Sequence, residues 1–95
     1  MEYELDCTNI HSLSELHAEL AALLSFPEYY GQNFDALHDC LTDCALTLRI
    51  THWDALEEAL GIPRCITFKH VLDDSAADSE FQFVIESRPP AEPVA

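Results

Sequence analysis

Three aspartates, Asp35, Asp39 and Asp43, recur at intervals of four in a segment that also carries His38, Cys40 and Cys44. Acids so spaced can serve three chemistries. Paired carboxylates hydrolyse glycosidic bonds; acids joined by cysteine and histidine hold metals; a ridge of acids captures a cationic partner through charge-assisted hydrogen bonds. The metal reading draws on His11, His17, His38, His52 and His70 and on Cys7, Cys40, Cys44 and Cys65, but these are scattered and lack the paired spacing of a zinc ribbon or finger. A Cys–His nucleophile is disfavoured, because buried thiols in acidic surroundings resist ionisation. No catalytic residue, metal or cofactor is expected.

On a helical wheel at about 100° per residue, Phe34, Leu37, Cys40, Leu41 and Cys44 fall within an arc of roughly 120°. That stripe faces a core, where free cysteine acts as a small hydrophobe. Asp35, His38, Asp39, Thr42 and Asp43 share the opposed arc of about 140°. Like charges four apart destabilise a helix by roughly 0.2–0.5 kcal/mol per pair. Lys or Arg would balance such a face, yet none occurs before Arg49. Asp35 and Asp39 point outward from one ridge, without the facing wall that a hydrolytic cleft needs. An acidic ridge is usually an ordinary solvated face, and the missing counter-charges are what favour docking. Tyr29 and Tyr30, just ahead of the helix, add rigid rings with polar tips, one for the core and one for contact.

The elements that must position this helix follow from periodicity. Tyr3, Leu5 and Cys7 alternate with Glu2, Glu4 and Asp6, a half-buried strand. Ser12-Leu-Ser-Glu15 is a capping box opening a helix with Leu13, Leu16, Leu20, Leu23 and Leu24 on one side, running to about Ser25 and stopped by Pro27. Residues 26–32 form a loop in which Gly31 supplies backbone angles closed to other residues. Asn33 caps the acidic helix, which runs to about Asp43. Leu46, Leu48 and Ile50 mark a second strand; Thr51 is placed to cap a short helix carrying Trp53, Leu56 and Leu60, ended by Gly61 and Pro63. A fourth helix is expected from about Arg64 to Ala77, although Cys65-Ile-Thr-Phe68 also suits a strand. Phe81, Phe83 and Ile85 mark a third strand.

Strands separated by helices need crossovers, hence a parallel sheet. Alternating strands imply that one sheet face stays open, so the expected architecture is a two-layer α/β fold with helices mainly on one side. One domain is expected over residues 1–87, with a proline-rich, disordered tail over 88–95.

Charge narrows the function classes. Eighteen Asp and Glu against four Lys and Arg give a formal net charge of −14. Such a field steers encounter with basic partners. Direct nucleic-acid or anionic-membrane binding is disfavoured for want of cations. No apolar run approaches the ~18 residues of a membrane span, the acidic start Met1-Glu-Tyr-Glu-Leu-Asp6 is unlike a secretory signal, and reduced thiols fit a cytoplasmic protein.

The run Pro27-Glu-Tyr-Tyr-Gly-Gln-Asn-Phe-Asp-Ala-Leu-His-Asp-Cys-Leu-Thr42 closely resembles the central motif of the barstar family, intracellular inhibitors of barnase-like bacterial ribonucleases. Looser similarity covers Ile10 to Leu24, the surroundings of Trp53, and Val71-Leu-Asp-Asp74 followed by a strand. The resemblance implies a three-stranded parallel sheet and one-to-one binding of a basic, secreted-type ribonuclease by a protein that is a monomer when free. It implies that Asp39 stands in for the scissile phosphate, with Asp35 its acidic neighbour. It places Tyr29 on the nuclease's catalytic side chains and Gly31 and Asn33 at the contact. Asp74, or else Asp73, is the further acid on the last helix. His38 and Cys44 stand where the family has tryptophans, and Asp43 where it has glycine.

The leading expectation is therefore a non-enzymatic, antitoxin- or immunity-type ribonuclease inhibitor in the cytoplasm. Its contact set is Tyr29, Gly31, Asn33, Asp35, His38, Asp39, Thr42, Asp43 and Asp74. The alternatives are an acidic interaction module on the same fold that binds a different basic protein, and, more remotely, a carboxylate hydrolase.

Overall fold

Apolar and polar residues alternate along each strand, and the sheet sorts them onto two faces. In the computed structural model, which describes residues 2–28 and 30–86, strands β1 (Glu2–Asp6), β2 (Thr47–Thr51) and β3 (Gln82–Ile85) form one parallel sheet in the order β1-β2-β3. Register aligns Tyr3 with Leu48 and Phe83, and Leu5 with Ile50 and Ile85. These six form one face, and Leu5, Leu48 and Ile50 are almost wholly buried. Glu4, Arg49 and Val84 align on the other face, where Val84 is exposed and Arg49 is held by Glu86 through Nε at 3.2 Å. One face packs on helices and the other meets solvent, which is the two-layer arrangement expected.

The helices are α1 (Leu13–Leu24), α2 (Phe34–Thr42), α3 (Trp53–Leu60) and α4 (Ile62–Asp78), with a short 3-10 turn at Cys7–Asn9. Ser12 caps α1, its Oγ accepting from the Glu15 amide at 3.2 Å. The Glu15 carboxylate reaches one residue further back than a capping box requires, accepting from the His11 amide at 2.7 Å. Ser25 closes α1 in the left-handed region (φ 59°), and the Phe26 amide donates to the Ala21 carbonyl at 2.9 Å. Pro27 follows the cap rather than making it.

Five expectations are corrected. Gly31 has no positive φ; Gln32 (φ 54°) takes that conformation instead, and a Cβ at position 31 would lie 3.2 Å from Asn33 Nδ2. Thr51 ends β2, its hydroxyl donating to the Leu5 carbonyl at 3.4 Å; His52 (φ 58°) precedes α3 without a side-chain cap. The Trp53 amide is tied instead to the Glu86 carbonyl at 3.1 Å. Gly61 (φ 92°) alone ends α3, because Pro63 sits in the first turn of α4, where its missing N–H leaves no bond unmade. Helix α4 therefore begins at Ile62 and takes in Cys65–Phe68. Phe81 lies ahead of β3 yet is fully buried, stacked on Phe83 at 6.2 Å. The tail expected to be disordered lies outside the described residues.

The core runs from the sheet face through Leu16, Leu20, Leu37, Leu41, Leu56 and Leu72. Trp53 and Phe34 both stack on Phe68, at 5.8 and 6.3 Å. A histidine, His17, is buried beside this core at 2% exposure, with Nδ1 2.6 Å from the Tyr30 hydroxyl and Nε2 without a partner among the described residues. Tyr30 is thus the core tyrosine of the expected pair. Burial lowers the His17 pKa from its ordinary 6.5, because a charged ring would lose its hydration there, so folding disfavours the protonated form that the unfolded chain takes up more readily. Stability from this group is present above pH 6.5 and lost as pH falls below it. Denaturant unfolding between pH 7 and 5 is expected to show this acid-side loss, with a shallower slope in His17→Leu; an unchanged slope would remove His17 from the account.

Candidate functional site

Helix α2 forms because its buried stripe outweighs its charges. Leu37 and Leu41 are fully buried, worth about 1.5–3 kcal/mol each, against a few tenths for each aspartate pair. Asn33 starts the helix with both arms of its amide: Oδ1 accepts from the Ala36 amide at 2.8 Å, and Nδ2 donates to the Gly31 carbonyl at 3.4 Å. Gly31 and Asn33 are exposed at this N-terminal end.

Beyond them, Asp35 is exposed in the first turn, Asp39 is 87% exposed, and Asp43 is exposed as the C-cap. Thr42 is half-buried, its hydroxyl donating to the Asp39 carbonyl at 2.9 Å. The dipole favours Asp35 near the helix N-terminus but opposes Asp43 at the C-terminus, where the last turn holds no basic residue. None of the chain's cations answers this ridge among the described residues. Arg49 is held by Glu86, Arg64 donates to the Leu60 carbonyl, and Lys69 pairs with Asp73 at 3.1 Å. Arg88 lies outside the described residues.

His38 joins the ridge to α4. It is 33% exposed, with Nδ1 4.0 Å from Asp39 and Nε2 3.5 Å from Asp78. Asp78, 64% exposed, is absent from the expected contact set. The sequence carried a signal for it: Asp74 and Asp78 are four apart, so they share a side of α4. Asp74 is exposed on that side, whereas Asp73 is engaged by Lys69. Tyr29 lies outside the described residues.

Between the end of α1 and the second half of α2 runs a groove of ≈ 400 Å³. Residues 24–27 form one wall; Asp39, Cys40, Asp43 and Cys44 form the other. The first wall, Leu24-Ser-Phe-Pro27, bears no acid or base, so two facing carboxylates are not available for hydrolysis here. The four cysteines are free thiols. Burial raises the pKa values of Cys40 and Cys44, with the nearby charge of Asp43 adding to each. Burial likewise pushes Cys7 up to about 12. Thiols held protonated make poor nucleophiles. Among the described residues no three His, Cys, Asp or Glu gather as a metal site, and no helix is long and apolar enough to cross a membrane.

The sequence also matches known proteins. A family model described as "Barstar (barnase inhibitor)" matches residues 1–88. A protein of Bacillus subtilis (strain 168) named "Putative ribonuclease inhibitor YrdF" is 40% identical over 60 residues, covering 60% of this chain and 66% of that protein, just under two thirds of its length.

If Asp43 is held against dipole and neighbours, neutralising it releases that strain. Asp43→Asn is expected to raise unfolding free energy by about 0.3–1 kcal/mol at low salt, with a smaller gain at high salt. Urea denaturation at two ionic strengths measures both; destabilisation would mean that the carboxylate has a favourable partner within the fold.

Proposed function

The chain belongs to the barstar family, and from that premise we propose that it inhibits a basic bacterial ribonuclease by laying the acidic face of α2 across the enzyme's active site. The observation that carries this reading is the exposure of Asp35, Asp39 and Asp43 on a helix whose counter-charges are missing among the described residues. A ribonuclease must hold phosphate with cations, and those cations form charge-assisted hydrogen bonds to carboxylates set at the same positions. Inhibition is then occlusion. Asp39 at mid-helix takes the place of the scissile phosphate, Asp35 lies one turn earlier, and His38, Thr42 and Asp43 complete the face. Gly31, Asn33 and Tyr29 contribute from the preceding loop, and Asp74 from α4. The complex is one-to-one, the inhibitor acts in the cytoplasm, and it performs no chemistry of its own.

Helix α2 stands by its buried leucines, so the aspartates are expendable for folding and needed for binding. Asp39→Ala is expected to fold normally, with unchanged or slightly higher stability, and to weaken inhibition of the partner ribonuclease by at least about 2 kcal/mol, roughly thirtyfold. Inhibition constants and thermal unfolding of the same sample measure the two halves. Full inhibition by the variant would displace Asp39 from the centre of the interface.

The excess negative charge also governs encounter. Association measured by stopped flow is expected to slow steeply as salt rises from ~10 to ~500 mM, because the Debye length shrinks from about 30 Å to a few ångströms. A salt-independent association rate would remove charge steering from the mechanism.

A further inference from the structure

The groove beside the ridge joins two properties that a single kind of side chain matches. Leu24, Ser25, Phe26, Pro27, Cys40 and Cys44 line it, apolar but for the Ser25 hydroxyl, together with Asp39 and Asp43. The two carboxylates are one helical turn apart and exposed, and burial raises the pKa of both thiols, which leaves the acids as the groove's source of negative charge. No basic side chain of the chain itself lines it among the described residues.

We propose that this groove is a receptor for an arginine side chain projecting from the partner's surface, next to the face that covers the partner's active site. The arginine comes from the ribonuclease of the preceding section, and its source rests on that reading; the fit to the groove does not. An acidic or phosphorylated group is repelled by Asp39 and Asp43. A purely apolar knob would bury against the wall while stripping water from two unpaired carboxylates, which is unfavourable. A long basic side chain does neither, since it lays its methylene stem on apolar surface and keeps its head at the polar edge. Between the two basic residues, arginine fits better. Its planar fork offers five donors and can engage two carboxylates whose Cβ atoms lie about 5–6 Å apart, whereas the lysine ammonium acts as a point charge. The groove's ≈ 400 Å³ leaves room for the whole side chain. Asp43, at the end of the ridge, thus acquires a distinct role: it fixes the guanidinium, Asp39 shares its two oxygens between this arginine and the cations of the active site, and the apolar wall holds the stem.

The test begins with the unmodified protein and needs no ribonuclease. In a ¹H–¹⁵N NMR titration with N-acetyl-arginine amide, the amides of Ser25, Phe26, Asp43 and Cys44 are expected to shift saturably. N-acetyl-leucine amide should leave them unmoved, and Asp43→Asn should weaken the arginine response roughly threefold or more. Equal shifts with the leucine probe, or shifts confined to Asp35 and Asp39, would overturn the proposal. The second arm fills the groove: Cys44→Phe is expected to lose the arginine response and to inhibit the partner ribonuclease roughly tenfold less well. A folded Cys44→Phe protein with full inhibition overturns the groove's role while leaving the inhibitor reading standing. If the wild-type protein binds no ribonuclease, the inhibitor reading fails, and the titration still decides whether the groove takes arginine.

Discussion

The organising constraint is a line of like charges that no described Lys or Arg neutralises. Asp35, Asp39 and Asp43 project from α2 into solvent, and the chain's described cations are engaged elsewhere. What lets the line persist is the opposite side of the same helix, where Leu37 and Leu41 are sealed in the core. The margin is one of magnitude: burial is worth kilocalories, repulsion between neighbouring carboxylates tenths. A helix so built can carry an unfavourable surface without losing its fold.

The rest of the molecule holds that helix. The apolar sheet face gives the core its floor, and Phe68 of α4 links it to α2 through Phe34 and to α3 through Trp53. The loop into α2 is set by two unlike contacts. His17 and Tyr30 pair in the interior, and the Asn33 amide ties the helix start to Gly31. His38 and Asp78 meet on the outside and bring α4 to the acidic face. Surface chemistry and core packing are thus carried by neighbouring positions of the same elements.

The same division holds at the end of α2. With Cys44 and Asp43 at the end of α2, the helix leaves a groove against residues 24–27 with acids on one wall and apolar groups around it. The ridge and the groove share Asp39 and Asp43, so changes in either reach both the charge of the face and the shape beside it.

Much of this was legible in the order of residues alone, because local spacing carries it. The four-residue interval of the aspartates, the leucines opposite, the Asn33 cap and the alternation in the strands are properties of nearest neighbours on a helix or strand. They place α2, its two faces and the open-faced sheet. Packing between elements settled what local spacing cannot express. Thr51 became a strand end bonded to Leu5, with the start of α3 tied to Glu86 across the sheet. The positive φ fell on Gln32 rather than on Gly31, where an added Cβ would crowd the Asn33 side chain. His17 found Tyr30, Asp78 found His38, and the groove opened between residues 24–27 and the end of α2. Those are contacts between elements, set by how the helices pack once their apolar stripes must share one core.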